Sequence, residues 1–185
     1  GAIRHTAVIP IAGELITSDI AIGLHTTMEN AEHTKVEHGV AKQTMAPREV
    51  DVDVSGMGEQ DLRQISKQAL AGVIEPRVVE IFSLVQQVIY ESGLEEQVQS
   101  AGIVLTGGSA AMPGMTDLSE DVFLKPVRVA VPQCAHKMSD MLVHPRVATV
   151  MGLLEEARLA RIRGFKAAEA GGIKLMFSRL KDFFI

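Results

Sequence analysis

The spacing of apolar positions changes several times along the chain, and each change marks an element. Val50 to Val54 reads V-D-V-D-V. That strict alternation predicts a half-exposed strand with one acidic face. From Leu62 the period lengthens. Leu62, Ile65, Ala69, Leu70 and Val73 fall on one stripe, and Val78, Ile81, Phe82, Val85, Val88 and Ile89 continue it. This predicts a long helix capped by Asp61, ended or kinked near Ile74 and Glu75, restarted at Pro76 and stopped by Ser92-Gly93. Ile103, Val104 and Leu105 form a short apolar run, which suits a strand buried on both faces. Thr106, Gly107, Gly108 and Ser109 follow as a turn without bulky side chains, and Pro113 suits the first turn of a helix.

The remaining pattern is shorter. Ala2 to Pro10 reads as a strand. Thr17 and Ser18 can cap a helix through Ile20, Ala21 and Leu24. Ala31 to Gly39 is a second short helix closed by Gly39. Met115 to Phe123 is amphipathic, Pro126 to Pro132 is a strand bounded by prolines, and Pro145 opens a helix through Val147, Val150, Met151 and Leu154. Strands alternating with helices argue for an α/β fold. The V-D-V-D-V strand and the long helix read as a smaller lobe inserted into the main sheet. The expected organisation is a main lobe at 1–28 and 93–157, an inserted lobe at 29–92, a linker at 158–171 and a final helix at 172–185. A chain that opens directly in a strand reads as a fragment of something longer.

That final stretch, G-I-K-L-M-F-S-R-L-K-D-F-F-I, has a second kind of amphipathicity. At about 100° per residue, Ile173, Met176, Phe177, Leu180, Phe183 and Phe184 share an arc of about 120°. Lys174, Ser178, Arg179, Lys181 and Asp182 lie outside it. Bulky apolar residues flanked by Lys and Arg are the pattern of an interfacial membrane helix. The alternative is a helix docked on the domain. So short a helix is marginal in water, and an anionic surface would attract its basic residues.

Composition sharpens this picture. The 185 residues carry 46% apolar side chains but only 4% aromatics and no Trp, so the core is aliphatic. The single cysteine excludes an intrachain disulfide. Net charge is −5, divided between a body of −10 and a stretch of +5 from Arg158 onward, which suggests an acidic body with a basic interaction tail. No apolar run is long enough to span a bilayer. The six histidines are scattered, and His33 and His38 are not at metal-pair spacing, so no metal site is expected. No nucleophile pair or catalytic base stands out. Glu32 and Lys35 share a helix face and read as a solvated ion pair. The glycine turn fits either a ligand at the end of a strand or a tight turn with no ligand.

G-A-I-R-H-T-A-V-I-P-I-A-G with T-S-D-I-A, A-E-H-T-K-V-E-H-G, V-I-E-P-R, G-I-V-L-T-G-G-S-A and H-P-R-V-A-T-V-M-G-L-L, in this order and with the basic amphipathic tail, resemble the FtsA family of bacterial actin-like division proteins. The resemblance implies the second domain of an actin/Hsp70-like ATPase fold, followed by a linker and a membrane-targeting helix. It implies that Gly107, Gly108 and Ser109 face the adenosine of ATP, with Glu32 and Lys35 reaching ribose and adenine. It implies that the lobe carrying V-I-E-P-R binds the C-terminal peptide of FtsZ, with Arg63 and Arg77, on helices either side of Pro76, as candidate contacts. Self-association into an actin-like filament, other divisome proteins and an anionic membrane on the cytoplasmic side of the inner membrane at the division site are the further implied partners, and no nucleic acid. Another ATPase of the superfamily, a sugar kinase or Hsp70-like protein, or a pilus-assembly scaffold is the alternative. The family's D-x-G-x-x-[TS] phosphate loops are absent from this stretch of sequence. Phosphate and Mg²⁺ need such glycine loops and carboxylates, so no ATPase activity is expected of this chain alone.

Overall fold

The computed structural model describes residues 3–56, 62–132 and 143–163. Chain contacts separate two compact units, residues 1–148 and 149–185. In the first, helix α1 (Gly13–Leu24) and helix α2 (Met28–His38) lead to a hairpin of strands β1 (Asp51–Ser55) and β2 (Leu62–Ser66). The long helix α3 (Lys67–Glu91) follows, then α4 (Glu95–Ala101), strand β3 (Ile103–Leu105), helix α5 (Met115–Phe123) and strand β4 (Val127–Val129). Helix α6 (Ala148–Ile162) begins at the boundary and makes up the described part of the second unit.

β1 and β2 pair antiparallel, with Val52 opposite Ile65 and Val54 opposite Arg63. The alternation in β1 behaves as its sequence dictates: Val52 and Val54 are buried, and Asp51, Asp53 and Ser55 are exposed. β3 and β4 pair in parallel, Ile103 with Val127 through Leu105 with Val129. A crossover through α5 joins them, as a parallel pair requires.

Several expectations are corrected here. Leu62 to Ser66 is a strand, not the start of the long helix; β1 supplies the ladder partner that an isolated helical reading ignores. Ser66, not Asp61, caps α3, its side chain accepting from the Ala69 N–H at 3.1 Å. α3 does not end at Pro76 but runs unbroken for 25 residues. Proline deletes one backbone bond in a helix interior, yet Ile74 and Val78 on either side are fully buried and hold both halves to one core. Residues 3–10 form no strand and hydrogen-bond to no ladder among the described residues; an extended segment needs a neighbour to satisfy its backbone. β3 is not buried on both faces, since Val104 is 48% exposed. Pro113 lies outside α5, whose N-cap is Gly114 at φ +78. α6 reaches Ile162, five residues into the expected linker.

One aliphatic core spans the first unit. Ile16 and Ile20 of α1, Leu70, Ile74, Val78 and Phe82 of α3, and Met115, Leu118 and Phe123 of α5 are packed together. Phe82 and Phe123 meet with ring centroids 5.4 Å apart. The stretch expected as an inserted lobe thus shares its core with the main lobe through α3. This core fixes α1, β3 and the turn between β3 and α5 relative to one another.

Candidate functional site

The site is built where the first turn of α1, the outer face of α2 and the glycine turn converge. β3 ends at Leu105, and Gly107 takes φ +98, a conformation that side-chain-bearing residues rarely adopt. The Gly107 N–H donates to the Pro145 carbonyl at 3.1 Å. That bond ties the short turn Pro145–Val147 to the glycine turn. Gly108 then opens the turn Ser109–Ala111, which leads toward α5. On α2, Thr27 caps the helix by accepting from the Asn30 N–H, and Gly39 closes it.

Lys35 is the centre of the constellation. Only 8% of it is exposed, and its ammonium donates to Glu32 Oε2 at 2.6 Å, Thr17 Oγ1 at 2.7 Å and the Gly13 carbonyl at 3.1 Å. An ammonium has three protons, and all three are used. Thr17 donates in turn to the Glu32 carboxylate. The expected solvated pair is therefore corrected: Lys35 is buried and Glu32 is the partner that reaches solvent, its side chain 51% exposed. Burial pushes the Glu32 carboxyl up, but the hydrogen bonds from Lys35 and Thr17 and the Lys35 charge outweigh it and hold it below its ordinary value. Both bonds fall on Oε2, so Oε1 keeps its lone pairs for a ligand. Thr17 was expected as a cap. It lies instead in the interior of α1, whose N-cap is Ala12.

Gly13 shows how closely these elements meet. A Cβ there would stand 2.5 Å from Ser109 Oγ and 3.8 Å from Lys35 Nζ. Glu32, Lys35, Gly108 and Ser109 border one cavity of about 400 Å³, together with Met112, His144 and Arg146. The structure therefore brings four of the five expected nucleotide-site residues to one space. Gly107 borders another cavity of about 270 Å³, which Gly108 and Ser109 also line together with apolar residues such as Ile16, Phe82 and Leu105. No group of three or more His, Cys, Asp or Glu is placed to hold a metal ion among the described residues.

The two candidate arginines do not meet in this way. Arg63 stands on β2 rather than on a helix, opposite Val54. Arg77 is on α3 just after Pro76 and is engaged within the fold. It binds both carboxylate oxygens of Asp19 and also Glu80, and the Asp19 hydrogen bonds raise its pKa. The membrane-face residues Ile173, Met176, Phe177, Leu180, Phe183 and Phe184, with Lys174, Arg179 and Lys181, lie outside the described residues. Sequence reasoning missed Thr17, His144 and Arg146 as site residues. A buried polar Thr17 amid the apolar Ile16, Ile20 and Ala21 was a usable signal; a lone Arg146 after a proline carried none.

The model of the Cell division protein FtsA family matches residues 1–152. The chain belongs to the FtsA family. Curated FtsA proteins are similar to it over most of its length: one from Pseudomonas aeruginosa is 44% identical across 83% of this chain, one from Neisseria meningitidis 41% across 85%, and one from Escherichia coli K12 37% across 89%. The chain spans 37 to 40% of the length of these relatives. The crystal structure of MreB5 of Spiroplasma citri bound to ADP superposes with a TM-score of 0.63 at 18% identity, covering 84% of this chain and 47% of that one. The fold of this FtsA-family segment is thus α/β and actin-like. No helix is long and apolar enough to cross a membrane among the described residues.

Proposed function

We propose that this chain contributes the adenosine side of an ATP site to a cell-division protein that ties FtsZ filaments to the cytoplasmic membrane. The observation that carries the nucleotide reading is the shared cavity. Glu32, with one carboxylate oxygen still open, and the turn at Gly108 and Ser109 border the same space. A carboxylate can accept from ribose hydroxyls or an exocyclic amine, and a glycine turn admits a flat ring. The solved relatives of this fold include MreB5 of Spiroplasma citri bound to ADP and to AMPPNP. Among the described residues the cavity offers one side of a cleft and no glycine-loop phosphate grip, so the chain alone should gain little for ATP over adenosine and hydrolyse no ATP. Titration with adenosine followed by ligand-observed NMR tests this. Binding that is lost in Glu32→Ala supports the reading, and no binding by the parent chain sinks it.

The tether is carried by the pattern of residues 172 to 185, with Phe177, Phe183 and Phe184 on one face and Lys174, Arg179 and Lys181 beside it. Liposomes containing anionic lipid should co-sediment the full chain and leave behind a chain ending at residue 171. Equal binding by both would sink the tether. For the FtsZ tail, Arg63 on β2 and Arg77 on α3 are the candidate contacts. A labelled FtsZ tail peptide should saturate the chain and lose affinity with Arg63→Ala; a flat titration rejects the assignment.

A further inference from the structure

We infer that Arg146 is the residue that packs on the face of the bound base: its guanidinium lies flat on the adenine ring while Glu32 addresses the edge of the nucleoside. The inference rests on the nucleotide reading above and adds a residue and a contact mode to it. Arg146 borders the cavity shared by Glu32, Lys35, Gly108 and Ser109. Its backbone is fixed there by two ties. Gly107 donates to the carbonyl of Pro145, and the Arg146 N–H donates to His144 Nδ1 at 3.1 Å. The side chain leaves directly over the glycine turn, since a Cβ on Gly108 would stand 3.8 Å from the Arg146 Cβ. Among the described residues, no carboxylate or carbonyl engages its guanidinium.

These facts select stacking. Glu32 is ionised and Lys35 is spent on three protein partners, so the polar chemistry of the cavity sits on the α2 side. What the Arg146 side offers is a planar cation with no competing partner among the described residues. Arginine stacks on aromatic faces through a delocalised, weakly hydrated plane, and the compact lysine ammonium does so less well. A ligand with a flat, electron-rich ring would complete the contact; a ligand made of sugar and phosphate alone would not.

The test titrates the full chain with adenosine, with ATP and with ribose 5-phosphate by ligand-observed NMR, comparing the parent with Arg146→Ala, Arg146→Lys and Arg146→Tyr. Stacking predicts that Arg146→Ala weakens adenosine and ATP alike, by about fivefold. It predicts that Arg146→Tyr, which restores a flat face, recovers most of the affinity, that Arg146→Lys recovers less, and that ribose 5-phosphate is indifferent to all three. Arg146 is exposed on its turn, so each variant should keep the parent's circular dichroism and melting temperature. Unchanged affinity in Arg146→Ala, with the parent binding adenosine, overturns this inference and leaves the nucleotide reading standing. A loss confined to ATP and fully restored by lysine overturns it in favour of a phosphate contact. A parent that binds neither adenosine nor ATP overturns both.

Discussion

Arg77 donates to both carboxylate oxygens of Asp19, the Nη2 bond at 2.9 Å, so a two-pronged ion pair clamps α3 to α1 one residue after Pro76. Both side chains are about a quarter exposed, 25% and 27%. The geometry needs the guanidinium fork. Arg77→Lys should therefore lower the melting temperature although it keeps the charge, and by less than truncating a core residue beside it. Once Asp19→Asn is present, Arg77→Lys should have little further effect. Strictly additive losses in the double variant would show that the two groups do not act as a pair.

The neighbouring position Ile74 is fully buried in the core that α1, α3 and α5 share. Ile74→Ala removes methylene groups from a packed site and should cost about 2 to 5 kcal/mol. Urea unfolding measures it. A loss under about 1 kcal/mol would mean that this core is loosely packed.

Pro76 sits in the interior of an unbroken helix. An interior proline costs about 3 kcal/mol relative to alanine, offset by the stiffer unfolded chain, worth about 0.4 to 1 kcal/mol. Pro76→Ala should raise stability by about 2 to 2.6 kcal/mol. A fall in the urea midpoint would mean that α3 is shaped around the proline and that alanine strains its packing.

Gly39 closes α2 at φ −62, a value open to any residue, so its need for glycine is steric. A Cβ there would stand 2.3 Å from the Lys35 carbonyl oxygen, which is backbone and cannot rotate away. Gly39→Ala should cost about 1 to 3 kcal/mol, and because it presses on the residue that anchors the cavity, it should weaken adenosine binding too. Native stability with native binding would show that the end of α2 yields freely.

The elements whose pattern came from one buried face were legible in the sequence. Val52 and Val54 against Asp51 and Asp53 is the clear case, and the stripe of Leu70, Val78 and Phe82 is another. β2 was not, because Arg63 stands on the same face as Val52, Val54 and Ile65 in the pairing register, which spoils the alternation that would mark a strand. Residues 3–10 failed for the opposite reason: their pattern is strand-like, but a strand exists only through a neighbour. In the site, Glu32 and Lys35 could be paired from their three-residue spacing and tied to the glycine turn by family resemblance. Their contact with Thr17 and their sharing of a cavity with Arg146 are products of the tertiary fold, and no local spacing encodes them.

The Glu32 carboxyl gives the cavity a pH signature whose sign can be worked out. Its pKa is lowered from an unfolded value of about 4.5, with the bonds from Lys35 and Thr17 overcoming the effect of burial. A depressed carboxyl contributes stability that is complete above the unfolded value and is lost as pH falls through the folded one. Half the side chain is exposed, so solvent screens the effect and it is modest. Glu32→Gln cannot ionise. The parent should unfold at higher urea than this variant near neutral pH, and the gap should close as pH falls below about 4.5 and through the lowered folded value. A gap that persists unchanged at the acid end would mean that the interaction with Lys35 owes nothing to the carboxylate charge. Adenosine affinity should fall over the same window, because protonation removes acceptor capacity from the oxygen that faces the cavity; an affinity flat across it would take Glu32 out of the binding surface.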